Sequence, residues 1–322
     1  MVTDFAAVGD GDGASATANR NALISALSNS SDTVFVPAGT YVVDNSTLVV
    51  INNFSGVLDF DPNAKILFNS LAAGDANTHG GLMFAGGSGA VINNIHLAFT
   101  IPPGTLRDST FAGALKFNQT ANTTLNGALV EGSLSSGIMF YDCTNPIAEN
   151  VYVLNTLADG FDFFNDQNAE INNLYTNNTG DDGLAFVRYL NGNSFDSYSG
   201  GTSTNIVVKN SYARGIALIG ATNVNVDNFY IATTTGPGAM FAWDSGYNVG
   251  IPDNGSFAHG TILFGGNNGP QPPSVQNATP TPPSHYGFLA SVSSSSPQSL
   301  ASRLSLNNMI VSNANNRSVS VN

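Results

Sequence analysis

The feature that most restricts this chain is an internal repeat. Motifs of the form small residue, apolar, variable, apolar run Ala114-Leu115-Lys116-Phe117, Gly137-Ile138-Met139-Phe140, Gly160-Phe161-Asp162-Phe163 and Gly183-Leu184-Ala185-Phe186, each 23 residues after the last. After a longer insert the series resumes as Gly215-Ile216-Ala217-Leu218 and, 23 residues on, Gly238-Ala239-Met240-Phe241; Gly81-Leu82-Met83-Phe84 is an earlier copy. A second motif lies about ten residues upstream of several of these: Asn150-Val151-Tyr152-Val153, Asn173-Leu174-Tyr175-Thr176, Asn228-Phe229-Tyr230-Ile231 and, earlier, Asn94-Ile95-His96-Leu97. Strands this short, alternating with period 2 and broken by Gly or Asn, bury an apolar face only by stacking coil on coil. The expectation is all-β: one parallel β-helix domain spanning residues 1–322, with two or three strands per coil. A recurring Asn before an apolar strand suits a stacked side-chain ladder in which each amide bonds the turn of the next coil. No i, i+3, i+4 pattern is sustained in this region, so a helical reading fails.

The repeat also explains the two ends. Ala18, Ala22, Leu23, Ala26 and Leu27 stand at helical spacing, which predicts one helix over about 16–28 that caps the open end of the stack. Residues 265–300 hold Pro-Pro, Gly-Asn-Asn and Ser-Ser-Ser-Ser clusters and read as a long loop, after which Leu304-Ser305-Leu306 and Met309-Ile310-Val311 return to the strand pattern.

Composition excludes several functions. With 9 Lys+Arg against 22 Asp+Glu the net charge is −13, and a chain so poor in cations cannot neutralise a phosphate backbone, so no nucleic-acid partner is expected. The single Cys143 permits neither an intramolecular disulfide nor a Cys-based zinc site, and reads as a small buried residue. No apolar run approaches the roughly 18 residues of a membrane span, and Met1-Val2-Thr3-Asp4-Phe5 lacks a basic region and an apolar core, so neither membrane insertion nor a signal peptide is expected. No feature of the sequence specifies an oligomer.

The opening from Asp4 to Gly11, Asp4-Phe5-Ala6-Ala7-Val8-Gly9-Asp10-Gly11, followed by the helix and by Thr33-Val34-Phe35-Val36-Pro37-Ala38-Gly39-Thr40-Tyr41, resembles the start of pectate-lyase-like right-handed parallel β-helix proteins. Those include polysaccharide lyases, glycoside hydrolases, alginate epimerase modules and phage tailspikes. The resemblance implies a right-handed β-helix and an extracellular location, secreted or virion-attached.

Equivalent residues of successive coils lie one strand spacing apart, about 4.8 Å, so columns can be read down the repeat. The position before the small residue runs Gly113, Ser136, Asp159, Asp182, Arg214, Pro237, and the outward position two after the small residue runs Lys116, Met139, Asp162, Ala185, Ala217, Met240. Asp181 adjoins Asp182, so four carboxylates converge on two coils. Stacking like charges this closely raises at least one pKa, which marks the cluster as functional. One protonated and one ionised carboxyl are what glycoside hydrolysis requires. The alternative is a solvated acidic face or a Ca²⁺ site formed by Asp159, Asp162, Asp181 and Asp182.

Asn155-Thr156, Asp159-Gly160-Phe161-Asp162 and Gly180-Asp181-Asp182-Gly183 are similar to the motifs of polygalacturonase-like inverting glycoside hydrolases. The resemblance implies catalytic roles for Asp159, Asp181 and Asp182, with the Asp-Asp pair supplying the general acid and one water-activating base. We assign the acid to Asp182 and the bases to Asp159 and Asp181. The chain departs from that family by the insertion of Leu157-Ala158, by Ala213-Arg214-Gly215 in place of Gly-His-Gly, and by Met240-Phe241-Ala242 in place of Arg-Ile-Lys. Without that Arg and Lys a uronate carboxylate has no partner, so a neutral or mixed polysaccharide is the expected substrate.

Sugar-binding candidates are Asp162, Arg214, Lys116 and Arg188, with the aromatic residues Tyr152, Tyr175, Tyr212, Tyr189 and Trp243 as stacking surfaces. Tyr230 and Tyr141 belong to the same pattern, Asp142 and Asp244 are weaker candidates, and His79, His96, His259 and His285 show no ligand spacing. Two other readings stay open. A polysaccharide lyase or C5-epimerase would use Arg214 as base on a uronic acid beside a Ca²⁺ ion, and a non-catalytic glycan-binding β-helix would use the Tyr stripe alone. No organic cofactor is expected in any of the three.

Overall fold

A computed structural model describes residues 1–68, 80–101, 105, 107, 113–190, 200–243, 248–265, 286–291, 302–314 and 317–321. The 23-residue period becomes one coil of a parallel solenoid. Each coil contributes one short strand and one long strand, and each stacks in parallel on its counterpart of the next coil. The short strands form a 10-stranded sheet that includes Gly113–Asn118, Ser136–Tyr141, Phe161–Phe164, Leu184–Val187, Ile216–Ile219 and Ala239–Ala242. The long strands, among them Thr124–Ser133, Ile147–Thr156, Ala169–Thr179, Gly201–Ser211 and Val224–Thr234, lie in a second sheet of 13 strands.

The apolar residues of the repeat fill the solenoid. Phe84, Phe117, Phe140, Phe163 and Phe186 are the last residues of successive short motifs and stack inside the coils, with ring centroids 5.4, 4.4, 5.5 and 4.9 Å apart. Truncating one such ring to Ala costs about 3–5 kcal/mol, because the stack on either side cannot collapse into the gap. The glycine that opens each motif is required by a close approach. A Cβ on Gly160 would stand 2.6 Å from the Gly183 carbonyl and 2.8 Å from a Thr176 methyl.

Asparagine shapes the corners. Within one coil Asp142, Asn145, Asn150 and Asn155 all have positive φ, and Asn165, Asn168, Asn173 and Asn178 repeat them in the next. Asn tolerates the left-handed region better than other non-glycine residues. The expected ladder forms, but its bonds run amide to amide and not amide to turn: Asn173 Nδ2 donates to Asn150 Oδ1 at 2.8 Å, Asn168 to Asn145 at 3.0 Å and Asn178 to Asn155 at 2.8 Å.

The N-terminal helix forms over Ala16–Leu27 and packs Ala22, Leu23, Ala26 and Leu27 onto the first coils. Asn19, buried at its centre, donates to the Val8 and Val42 carbonyls. At the other end the segment 265–300 needs correction. Tyr286–Ser291 within it is a strand of the short-strand sheet, paired with Ala239–Ala242 and burying Phe288 against Phe257; the loop residues 266–285 and 292–300 lie outside the described residues. Strands return at Leu304–Asn307 and Ile310–Ser312. Among the described residues no helix is long and apolar enough to cross a membrane.

Candidate active site

The acids sit where the long strand turns into the short one. Pairing of Ser136–Tyr141, Phe161–Phe164 and Leu184–Val187 places Asp159 and Asp182 at the same point of adjacent coils, with Arg214 on the next. Each carboxylate bonds along the stack. Asp159 Oδ1 accepts the Asp182 backbone N–H at 2.9 Å, and Asp182 Oδ1 accepts the Arg214 backbone N–H at 2.8 Å. Arg214 Nη2 also donates to Asp182 Oδ2 at 2.6 Å, so both oxygens of Asp182 are engaged by one residue. Thr156 and Thr179 brace the turn through their hydroxyls, which donate to the carbonyls of Ala158 and Asp181. The inserted Leu157 and Ala158 are buried beneath it.

Asp181 is the open member of the group, 27% exposed at its side chain against 2% for Asp182. Its Oδ2 accepts Arg107 Nη1 at 2.6 Å. This second guanidinium was missed in the sequence because residue 107 belongs to no repeat and is separated from its partner by 74 residues. One oxygen each of Asp159, Asp181 and Asp182 lies within 4.8 Å of the others. Asp162 faces outward from Phe161–Phe164 yet is fully buried, between Met139 and Ala185 on the neighbouring strands.

These environments separate the acids. Burial, reinforced by the charges of Asp181 and Asp182, pushes Asp159 up to about 8, against the opposing pull of Arg107 and the Asp182 N–H. Burial also raises Asp182, but Arg214 limits it to about 6. Asp162 is driven well above the usual carboxylate range by burial first and by Asp159 second, and the Ser136 hydroxyl offsets only part of this. Burial alone would weaken the charge of Arg214, but Asp182 and Asp181 outweigh it and hold the guanidinium more firmly protonated than usual. Groups coupled this closely titrate together, so the cluster retains at least one proton at neutral pH and keeps another member ionised.

Three oxygens within 4.8 Å invite the Ca²⁺ reading, and the donor set does not fit it. Ca²⁺ takes 6–8 oxygens at roughly 2.3–2.6 Å. Here Arg107 and Arg214 engage Asp181 and Asp182 directly, and a backbone N–H takes one oxygen of Asp159. The positive charge the acids need is supplied by the chain itself.

The other candidates scatter. Lys116 lies in the row of Asp162 but two strands away, about 10 Å by strand spacing, with its ammonium over the Tyr141 ring at 4.9 Å. Arg188 follows Leu184–Val187 at the opposite edge of the sheet from Asp182, where its carbonyl accepts the Gly250 N–H. Tyr152 and Tyr175 stack at 6.1 Å between centroids, and Val207 separates them from Tyr230. Their row lies before the left-handed corner at Asn155 and Asn178, so it occupies the adjoining face and does not line the acids. Tyr212, bonded through its N–H to the Thr179 carbonyl, does flank Arg214 and Asp181. Tyr189 and Trp243, with Tyr141, border an apolar bed of Met139, Phe164, Ala185, Val187, Ala217, Ile219 and Val249 on the outer face of the short-strand sheet beside Asp162. His96 and His259 pair with Glu131 and Asp227 on the surface, while His79, His285 and Asp244 lie outside the described residues.

No family profile matches the chain, and no curated protein does. Solved structures do match. The Agl-KA catalytic domain superposes with a TM-score of 0.66 at 18% identity, over 96% of this chain and 53% of that one. The fold is a right-handed parallel β-helix. A GH87 α-1,3-glucanase catalytic domain in complex with tetrasaccharides shares this β-helix with a TM-score of 0.60 at 15% identity, covering 86% and 54% of the two chains. The Family 28 exopolygalacturonase of Yersinia enterocolitica follows at 0.55 and 15%, over 96% and 70%. The chain spans about half the length of the Agl-KA and α-1,3-glucanase chains it matches, and at these identities the likeness is one of fold.

Proposed function

We propose that this protein is a polysaccharide-active enzyme, a glycoside hydrolase of the inverting class that its motifs resemble, acting on a neutral or mixed extracellular polysaccharide. The acids' oxygens, within 4.8 Å of one another, are closer than the roughly 6.5–9.5 Å usual for inversion, so the motif resemblance and not the spacing carries that class. The observation that carries the reading is the division of one compact carboxylate group into two protonation environments. Asp159, raised to about 8 and with Oδ2 outside its backbone bond, holds the proton and donates it to the leaving oxygen. Asp182, raised only to about 6 beside Arg214, stays ionised, and it and Asp181, bonded to Arg107, activate water. This moves the acid from Asp182, where the sequence placed it, to Asp159, because Arg214 engages both oxygens of Asp182. Arg214 orients Asp182, and Tyr212, Tyr189 and Trp243 offer stacking surfaces at the flanks.

The coil that would recognise a uronate supports a neutral sugar. Phe241 there is 1% exposed in the core, Ala242 is buried, and Met240 carries no charge. The lyase alternative requires Arg214 to lose a proton, whereas Asp182 at 2.6 Å stabilises its charge. Fold likeness to an α-1,3-glucanase seen with tetrasaccharides is consistent with an oligosaccharide ligand.

A panel of neutral and uronic polysaccharides, assayed for reducing ends and for the ultraviolet absorbance of an unsaturated uronate, tests the proposal. Reducing ends without absorbance, lost in Asp159→Asn, with the inverted anomer appearing first by NMR, are expected. Absorbance in place of reducing ends would establish a lyase, and binding without turnover on every polymer would establish a glycan-binding module.

A further inference from the structure

Among the described residues, Arg107 is the one charged group at the site that the repeat does not supply. It lies between the long strand Val91–Phe99 and the short strand Gly113–Asn118, whereas Asp181 precedes Leu184–Val187, three coils further on. Three strand spacings are about 14 Å, twice the reach of an arginine side chain, so residue 107 is itself carried along the solenoid axis toward the acids. It arrives close to Asp159 and Asp162 as well, both of which act on its charge. The two members of the Asp-Asp pair thus receive one guanidinium each from opposite directions: Arg214 from the next coil onto Asp182, Arg107 from the preceding coils onto Asp181.

The bonds leave the two acids differently disposed. Asp182 has both oxygens engaged and is buried, while Asp181 has Oδ2 bonded to Arg107 and remains partly open. We propose that Arg107 is a positioning residue for Asp181: it anchors one carboxylate oxygen and so aims the other at the water that attacks the sugar. The inference rests on the hydrolase reading above. A charge-assisted bond of this length restricts the carboxylate more than packing would, since Asp181 lacks the enclosure that fixes Asp182.

Arg107→Met and Arg107→Lys, alone and with Asp181→Asn, test the assignment on whichever polysaccharide the wild type hydrolyses. Arg107→Met is expected to lower kcat by about 10–100-fold with KM within about twofold, because aim is lost while sugar contacts remain. Arg107→Lys keeps a donor and recovers much of the rate. In the Asp181→Asn background, Arg107→Met should change the residual rate no further. A rise in KM with unchanged kcat, or equal losses with and without Asp181, would overturn the positioning role. If no polysaccharide is turned over the hydrolase fails, and the contact is read from the Asp181 ¹³Cγ resonance of the unliganded protein. A resonance that moves in Arg107→Met and returns in Arg107→Lys supports the anchor; one indifferent to both overturns it.

Discussion

The short-strand sheet buries carboxylates at both of its edges, and the two edges differ in what meets them. Before the strands, Asp159, Asp181 and Asp182 converge within 4.8 Å and face Arg107 and Arg214. After the strands, Asp142 sits in a corner row against the Gln119 and Asn165 amides, and Asp166 is enclosed in the core, accepting the Cys143 N–H at 2.6 Å. Burial raises the acids at both edges, and at the second it drives the Cys143 thiol up to about 12 as well. A displaced pKa by itself therefore marks only burial. What distinguishes the first edge is convergence, paired guanidinium groups and an opening at Asp181.

The sharpest way to break this contrast is to neutralise one acid at each edge. Asp159→Asn should cost about 10²–10⁴ in kcat, while Asp166→Asn leaves turnover within about twofold in the same assay. Next in size is Arg214→Ala. It leaves Asp182 buried without its cation, and about 3 kcal/mol of stability should be lost in a denaturant titration, because breaking a buried pair costs more than the pair contributes.

The pH dependence should follow the first edge. Hydrolysis needs Asp182 ionised and Asp159 protonated, so the rate should rise through about 6 and fall above about 8. Stability should move with it. Asp159 has a folded pKa above its unfolded value, so its contribution is complete below about 4 and is lost as pH rises toward 8, which thermal melts across that range would show. A flat melting profile would mean that the cluster is more hydrated than its burial indicates.

Two smaller effects test the frame around the edges. Asn173→Ala removes a ladder amide at a left-handed corner and should cost about 1–2 kcal/mol, with Asn173→Gly recovering the backbone part. Asp166→Asn should raise the melting temperature by about 1–2 °C at pH 7, with the gain fading as pH falls and vanishing below about 3, where the wild-type acid is protonated in both states.

What could be read in the sequence was whatever obeyed the period. The stack of Asp159, Asp182 and Arg214, the row from Lys116 through Met139 to Asp162, and the interior phenylalanines all follow from columns 23 residues apart. Residues that break the period were invisible. Arg107 has no column, and Tyr286–Ser291 rejoins its sheet after a long excursion in which no spacing survives. Tyr152 and Tyr175 align as their repeat position predicts, but a linear pattern does not say where a left-handed corner turns the chain, and so not which face the row occupies. At the second acidic edge Asp142 was a weaker candidate, and Asp166 was passed over because it stands in an inward column with Thr120 and Cys143, where the eye expects only apolar residues.

The corners have one more consequence. In the sequence, residues 69–79, 102–112 and 266–285 precede short strands, and 188–200, 243–253 and 292–301 follow them. The long strands pass from coil to coil without interruption from Thr124–Ser133 to Val224–Thr234. The chain can therefore change in length between the sheets while the asparagine corners keep the coils in register. In a molecule built this way the scaffold and its insertions vary independently.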